Sequence, residues 1–169
     1  MDDYAEIDLS EQIDNPWSKD TALAIAKGNI NYSIKIIAKD KGDLKNIFYK
    51  TGKSRINRRN NRKGVVIIYS FLLYYLLRIS NGLSNRVKIC NDVRPTRSVN
   101  HYLTIICNFH KVSPIQREIK LDFKKRKKKK SKAHDVAKAV AHGRISANIT
   151  LSKNHIEKLK HIIKINLNL

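Results

Sequence analysis

The chain has few acidic residues and few cysteines, and each shortage limits what the protein can be. Only 14 Asp and Glu stand against 35 Lys and Arg, which leaves a net charge of +21 over 169 residues. Such an excess predicts attraction to a polyanion, either nucleic acid or an anionic membrane surface. The two cysteines, Cys90 and Cys107, lack the spacing of a metal site and are interpreted as small core residues. Nothing indicates an oxidising compartment.

The chain also lacks an apolar run long enough to cross a membrane. The best candidate, Val65 to Leu77, has thirteen residues and is closed by Arg78, whereas a span needs about 20. The first four residues include Asp2 and Asp3 and no base, whereas a secretory signal would begin with basic residues. We therefore expect a soluble cytoplasmic protein with no membrane partner. A peripheral membrane protein is disfavoured as well, because the basic clusters are expected in loops and not along an amphipathic helix.

What is present is a pattern of strands and helices in which 41% hydrophobic residues can build one core. The pattern predicts, in order, strands at 4–10, 21–26 and 30–38, helices at 43–49 and 65–79, a strand at 87–93, a helix at 96–112, a strand at 118–123 and a helix capped by Ser131. Gly28-Asn29 predicts a hairpin between the second and third strands. We expect an α/β protein with a single domain over 1–150 and a peripheral C-terminal helix within 151–169.

Two basic segments, 50–64 and 124–132, are predicted to be exposed loops. The first holds seven Lys or Arg without apolar periodicity, and the second contains seven consecutive basic residues. Such blocks lie in solvent or against phosphate, where several charges together give a salt-dependent affinity. The residues expected to contact a nucleic-acid backbone are Arg55, Arg58, Arg59, Arg62, Lys63, Lys125, Arg126, Lys127 and Lys128. The alternative is a solvated charge run with no specific partner.

Three acids stand at the ends of predicted elements. Asp8 lies in Ile7-Asp8-Leu9-Ser10, Asp92 closes Ile89-Cys90-Asn91-Asp92, and Asp135 lies in Ala133-His134-Asp135-Val136-Ala137. With this order of elements, the chain resembles the ribonuclease H-like superfamily over about residues 4–145. The resemblance implies a five-stranded mixed sheet with helices on both faces. It also implies that the first and fourth strands are neighbours, so that Asp8 and Asp92 lie together with Asp135 facing them.

The resemblance further implies a divalent-metal nuclease that hydrolyses DNA, RNA or a hybrid. Clustered carboxylates repel one another unless a cation lies between them, and Mg²⁺ and Mn²⁺ favour oxygen ligands. Two such ions about 4 Å apart can activate a water and stabilise the leaving oxygen of a phosphodiester. In this interpretation Asp8, Asp92 and Asp135 hold Mg²⁺ or Mn²⁺. Resolvase-type members of the superfamily form dimers, so a homodimer is one expected assembly.

The sequence departs from the superfamily pattern at one point. Many members carry a Glu on the helix after the third strand, whereas Val65 to Ile79 contains no acid. The site could have three carboxylates, recruit Glu11 or Asp14, or be inactive, which leaves a non-catalytic nucleic-acid-binding protein on the same scaffold as the alternative function. His134 or His142 could assist catalysis.

Each of the three acids also has an ordinary structural interpretation. Asp8 could be a surface residue near a chain end, and Asp92 could be a turn or salt-bridge residue. Asp135 could be a first-turn acid that the helix dipole stabilises.

Overall fold

The fold is a mixed sheet with helices on both faces, here taken from a computed structural model. It describes residues 4–49, 54–90, 97–116, 118–122 and 131–168, with backbone alone at 54–57, 90, 97 and 120–122. The strands are β1 (Ala5–Leu9), β2 (Thr21–Lys27), β3 (Ile30–Ile36), β4 (Arg86–Cys90), β5 (Glu118–Asp122) and β6 (Ile149–Thr150). The helices are α1 (Ala38–Phe48), α2 (Ser54–Ile79), α3 (Arg97–Phe109), α4 (Lys132–Ala141) and α5 (Lys153–Leu167). The predicted α/β class is confirmed, but the sheet has six strands where five were expected.

The strand order across the sheet is β5-β4-β1-β2-β3-β6. Strands β1, β2 and β3 are antiparallel neighbours, and Gly28, with φ of +58°, makes the tight turn between β2 and β3. Strand β4 runs parallel to β1 on its other side, and β5 runs parallel to β4. The predicted hairpin and the predicted contact between the first and fourth strands are therefore confirmed. Because β1 and β4 run in the same direction, their carboxyl ends lie at the same edge of the sheet.

Alternation of side chains along the strands separates two faces of the sheet. Ile7 of β1 and Ile25 of β2 belong to the main hydrophobic core, to which α2, α3 and α5 contribute most of the remaining residues. On the opposite face, β2 presents buried alanines at 22, 24 and 26, and α4 packs against β1, β2 and β3. Small side chains on this face allow α4 to approach the sheet closely. Helices therefore lie on both faces, with α4 on the side that carries Asp8.

The basic segment 50–64 is largely helical, which corrects the prediction of an exposed loop. Helix α2 begins at Ser54 and runs without a break to Ile79. Arg and Lys are good helix formers, and solvated first turns need no apolar periodicity, so the absence of that period did not exclude a helix. Of the second predicted loop, 124–130 lies outside the described residues, and Lys132 already belongs to α4.

The C-terminal segment contributes to the core, where the sequence suggested a peripheral helix. Strand β6 pairs in parallel with β3, and α5 buries Ile156, Leu159 and Ile163 in the main hydrophobic core. A two-residue strand has no alternation to detect, which explains why β6 was not predicted. Cys107 is a buried free thiol, as expected of a core residue. No helix within the described ranges is long and apolar enough to span a membrane.

Candidate active site around Asp8

Asp8 lies at the end of β1 on the face of the sheet that α4 covers. Only 4% of the residue is exposed, so its interpretation as a surface residue is wrong. Strand β4 lies directly beside β1, with Ile7 paired to Ile89. Strand β4 ends at Cys90, and Asp92 lies outside the described residues. The expected setting of Asp8, at a strand end beside β4 and under α4, is present.

Both oxygens of the Asp8 carboxylate accept hydrogen bonds from the protein. The backbone N–H of Leu9 donates to Oδ1 at 2.8 Å, and the hydroxyl of Ser131 donates to Oδ2 at 3.2 Å. The same Ser131 oxygen accepts the backbone N–H of His134 at 3.1 Å, which makes Ser131 the N-cap of α4, as predicted. One hydroxyl therefore joins the start of α4 to the carboxylate on β1. These contacts fix the orientation of Asp8 before any ligand binds.

His134 is the second buried polar group at this site. Its Nδ1 lies 3.5 Å from Oδ2 of Asp8, with the two side chains only 8% and 4% exposed. The geometry of the contact does not make a hydrogen bond, so Nδ1 is a buried nitrogen without a hydrogen-bond partner that faces a carboxylate. When the ring is protonated, the contact is an ion pair. A neutral ring can instead present the Nδ1 lone pair towards the same place.

Asp135 lies on the exposed side of α4, and His134 is the residue that contacts Asp8. The helical repeat explains the difference. The buried face of α4 carries Ala133, His134, Ala137 and Val140, and Asp135 lies about 100° round the helix axis from His134. Because His134 is three residues before Ala137, the run of small apolar residues was the signal in the sequence for the inward side of the helix. His142 is exposed at the C-terminal end of α4.

The described part of the chain contains no group of three or more His, Cys, Asp or Glu arranged to hold a metal ion. Asp92 is not among the residues on which this statement rests. The two acids considered as replacements for a helix carboxylate lie in the loop that follows β1. Glu11 lies 3.9 Å from the ammonium of Lys19, and Asp14 accepts a hydrogen bond of 3.1 Å from the side chain of Asn61.

Three exposed cations of α2 lie in its early turns, near the loop that follows Asp8. Arg58, Arg59 and Arg62 are exposed and Lys63 is half-buried. Asn61 lies among them, and its bond to Asp14 connects these turns to the loop after β1. The side chain of Arg55 and the residues Lys125, Arg126, Lys127 and Lys128 lie outside the described part of the structure. Four of the nine predicted backbone-binding residues can therefore be placed, and three of these four are exposed.

The first turn of α2 contains no acid to offset the positive end of the helix dipole. A polyanion bound at this end would supply the missing negative charge. The arrangement is thus suited to an anionic group such as phosphate.

Comparisons with protein-family models, with curated proteins and with solved structures found no match for this chain.

Proposed function

We propose that this protein is a divalent-metal-dependent nuclease whose active site is built around Asp8. The observation that supports the proposal is the buried carboxylate of Asp8 at the end of β1, beside the parallel strand β4 and bonded to the start of α4. Open sheets of this kind place their chemistry at the carboxyl ends of parallel strands. In the proposal Asp92 is the second carboxylate of the site, and His134 takes the position on α4 that was predicted for Asp135. The substrate is the phosphodiester backbone of DNA, RNA or a hybrid.

The groups around Asp8 fit a divalent cation. Carboxylate oxygens are the ligands that Mg²⁺ and Mn²⁺ favour, and Asp8 lies at the end of β1 beside the parallel strand β4. The unpaired Nδ1 of His134, 3.5 Å from Oδ2 of Asp8, adds a nitrogen ligand that suits Mn²⁺ better than Mg²⁺. Asp8, Asp92 and His134 would hold the ions. Bound ions would activate a water and stabilise the leaving oxygen.

The remaining residues of the proposed site position the carboxylate and the substrate. Ser131 and the Leu9 amide hold Asp8 in one orientation, so that little reorganisation is needed when a ligand binds. Arg58, Arg59 and Arg62 lie near the loop after β1 and bind backbone phosphates there. The excess of cations over the whole chain draws the polymer towards this pocket, despite its carboxylates.

A second function is favoured by the burial of Asp8. Its carboxylate is almost inaccessible, and both oxygens already accept protein hydrogen bonds. The run Val65 to Ile79 also lacks the helix acid that many ribonuclease H-like nucleases carry. A protein that binds nucleic acid without cleaving it would show the same basic surface and would use Asp8 to anchor α4.

The experiment that separates the two functions is a cleavage assay on hybrid, duplex and branched substrates with Mg²⁺ or Mn²⁺. A nuclease cleaves at least one of these substrates. We expect Asp92→Asn to lower the cleavage rate by more than about 100-fold while it still binds the substrate. The reason is that even the loss of a residue that only contacts a metal ligand lowers activity by about 10- to 100-fold. Metal-independent binding by the wild type, with no cleavage of any substrate, would instead support the non-catalytic function. A wild-type protein that neither binds nor cleaves would reject both.

A further inference from the structure

A groove next to Asp8 on the same face of the sheet has a lining rich in lysine. This cavity of about 380 Å³ is lined chiefly by Tyr4, Glu6, Lys27, Lys88 and Lys132, and we call it the lysine groove. Its floor is the paired backbone of three strands, since Glu6 of β1 is in register with Ala26 of β2 and with Lys88 of β4. None of its residues belongs to the predicted backbone-binding set on α2 or in 125–128.

The lysine groove and Asp8 are neighbours along one strand. Glu6 and Asp8 are two residues apart in β1, so their side chains point to the same face and lie about 7 Å apart along the strand. Helix α4 packs over β1, β2 and β3, and its first residue, Lys132, borders the groove. Ser131, which precedes Lys132, bonds to Asp8. A polymer lying in the groove would therefore pass beside the Asp8 carboxylate.

The walls of the groove are held in place by contacts across neighbouring elements. The ammonium of Lys132 donates a hydrogen bond of 2.9 Å to Oδ1 of Asn29 in the β2–β3 turn. On the other side, the guanidinium of Arg86 lies 5.8 Å from the centre of the Tyr4 ring, and the Tyr4 hydroxyl donates to Glu118 at 3.4 Å. The tyrosine ring is thereby supported by two strands. These contacts hold the side chains that line the groove in fixed positions on the sheet surface.

The charge of the lining favours an anion. The lining contains three lysines, Lys27, Lys88 and Lys132, and one acid, Glu6. Lysine acts as a compact point charge with three donors, which suits a phosphate oxygen and reads no base. A cationic or apolar ligand would gain little from such a lining.

We propose that the lysine groove binds a backbone phosphate of the nucleic-acid strand, next to the phosphate at Asp8. This inference rests on the proposed function, because it assumes that the polyanion is a nucleic acid. It differs from that function in its residues: the phosphate contacts come from β2, β4 and the start of α4 on the face of the sheet that carries Asp8. The strand then runs along that face before it meets the cations of α2.

The test measures the affinity for a labelled oligonucleotide at several salt concentrations, in the absence of metal. Each phosphate contact removed lowers the slope of log affinity against log salt by about 0.7 to 0.9. We expect the double variant Lys88→Met/Lys132→Met to lower the slope by about 0.7 to 0.9, because the groove holds one phosphate. The matched control, Lys39→Met/Lys164→Met, makes the same change in net charge at two exposed lysines of α1 and α5, and should leave the slope close to wild type. An equal slope in both double variants would overturn the proposal.

A second variant tests the sign of the ligand's charge. It also keeps the proposal testable if the double variant fails to fold. Glu6 is exposed, so Glu6→Gln should leave the fold intact. Removing this carboxylate should raise the affinity about fivefold at low salt if a phosphate binds within about 4 Å. A weaker affinity would overturn the proposal, because it would indicate a cationic ligand. Lys88→Arg should retain the wild-type slope.

The outcomes also separate this inference from the proposed function. A lowered slope in Lys88→Met/Lys132→Met together with no cleavage by the wild type would support phosphate binding in the lysine groove and reject the nuclease function. Cleavage by the wild type with an unchanged slope in that variant would support the nuclease function and reject phosphate binding in the lysine groove.

Discussion

Two buried charged residues border the loop that follows β1. Asp8 precedes this loop in the chain, and Lys41 of α1 binds to it. Lys41 of α1 is fully buried, and its ammonium donates to the Pro16 carbonyl at 3.1 Å and to the Thr21 hydroxyl at 2.7 Å. Burial lowers the pKa of Lys41 from its ordinary 10.5 to about 8, against the opposing effect of nearby carboxylates. Lys41 therefore fixes the loop that connects Asp8 to β2, but charging it costs stability.

The pH dependence of folding should report this cost. Between about pH 8 and 10.5 the ammonium is mostly deprotonated in the folded state and protonated in the unfolded chain, so the unfolded state binds more protons. The free energy of unfolding should then rise with pH across this window, relative to Lys41→Met, by about 3 kcal/mol in total. Urea unfolding at pH 8, 9 and 10 measures the difference. Lys39→Met, at an exposed position of the same helix, should follow the wild type, and a parallel response in Lys41→Met would contradict the prediction.

At the scale of elements, α1 and α2 meet at a glycine. A methyl group at Gly64 of α2 would overlap the ring of Phe48, which is itself 1% exposed and packs against Trp17. The ring cannot move aside without disturbing the core. The absence of a side chain at residue 64 therefore lets the basic first turns of α2 lie against α1, near the loop after Asp8.

Two glycine-to-alanine substitutions with opposite expected signs test this packing. Gly64→Ala should lower the free energy of unfolding by about 1 to 2 kcal/mol, because overpacking outweighs the gain in helix propensity. Gly42→Ala, in α1 with no atom within 4 Å of the added methyl group, should raise it by about 0.5 to 1 kcal/mol. Thermal or urea denaturation measures both. Stabilisation by both substitutions would show that the contact with Phe48 is looser than described.

Elements with a local signal could be predicted from the sequence, and elements without one could not. Alternation located β1, the Gly28-Asn29 turn located the β2–β3 hairpin, and Ser131 located the start of α4, because these signals are local. The first turns of α2 were missed because a solvated basic helix has no apolar period. Strand β6 was missed because pairing of so short a strand depends on β3, which is distant in sequence.

The candidate site was predictable to a similar extent. The position of Asp8 at the end of a predicted strand made it a candidate site residue, and its predicted neighbours β4 and α4 are present. The identity of the inward residue on α4 depended on rotation about the helix axis, and the structure places His134 there and Asp135 on the exposed side. Asp92 remains a prediction, since it lies outside the described residues.

At the scale of the whole molecule, the chain has a net charge of +21, and Asp8 is the one buried carboxylate among the residues that the structure describes. Exposed cations lie on the first turns of α2, and the lysine groove lies on the α4 face of the sheet. Affinity arising from such a surface falls steeply with added salt and depends little on sequence. Binding alone would therefore not distinguish a nuclease from a non-catalytic protein, and the decisive comparison is one in which binding is retained.

The central claim is that Asp8 is the centre of a metal-dependent active site. The most direct measurement is the cleavage rate at saturating nucleic acid with Mn²⁺, for the wild type, Asp8→Asn and the control Asp43→Asn, which removes the same charge from an exposed position of α1. We predict that Asp8→Asn loses more than about 100-fold of the rate while it binds as tightly as the wild type, and that Asp43→Asn cleaves normally. Cleavage by Asp8→Asn at the wild-type rate would contradict the account.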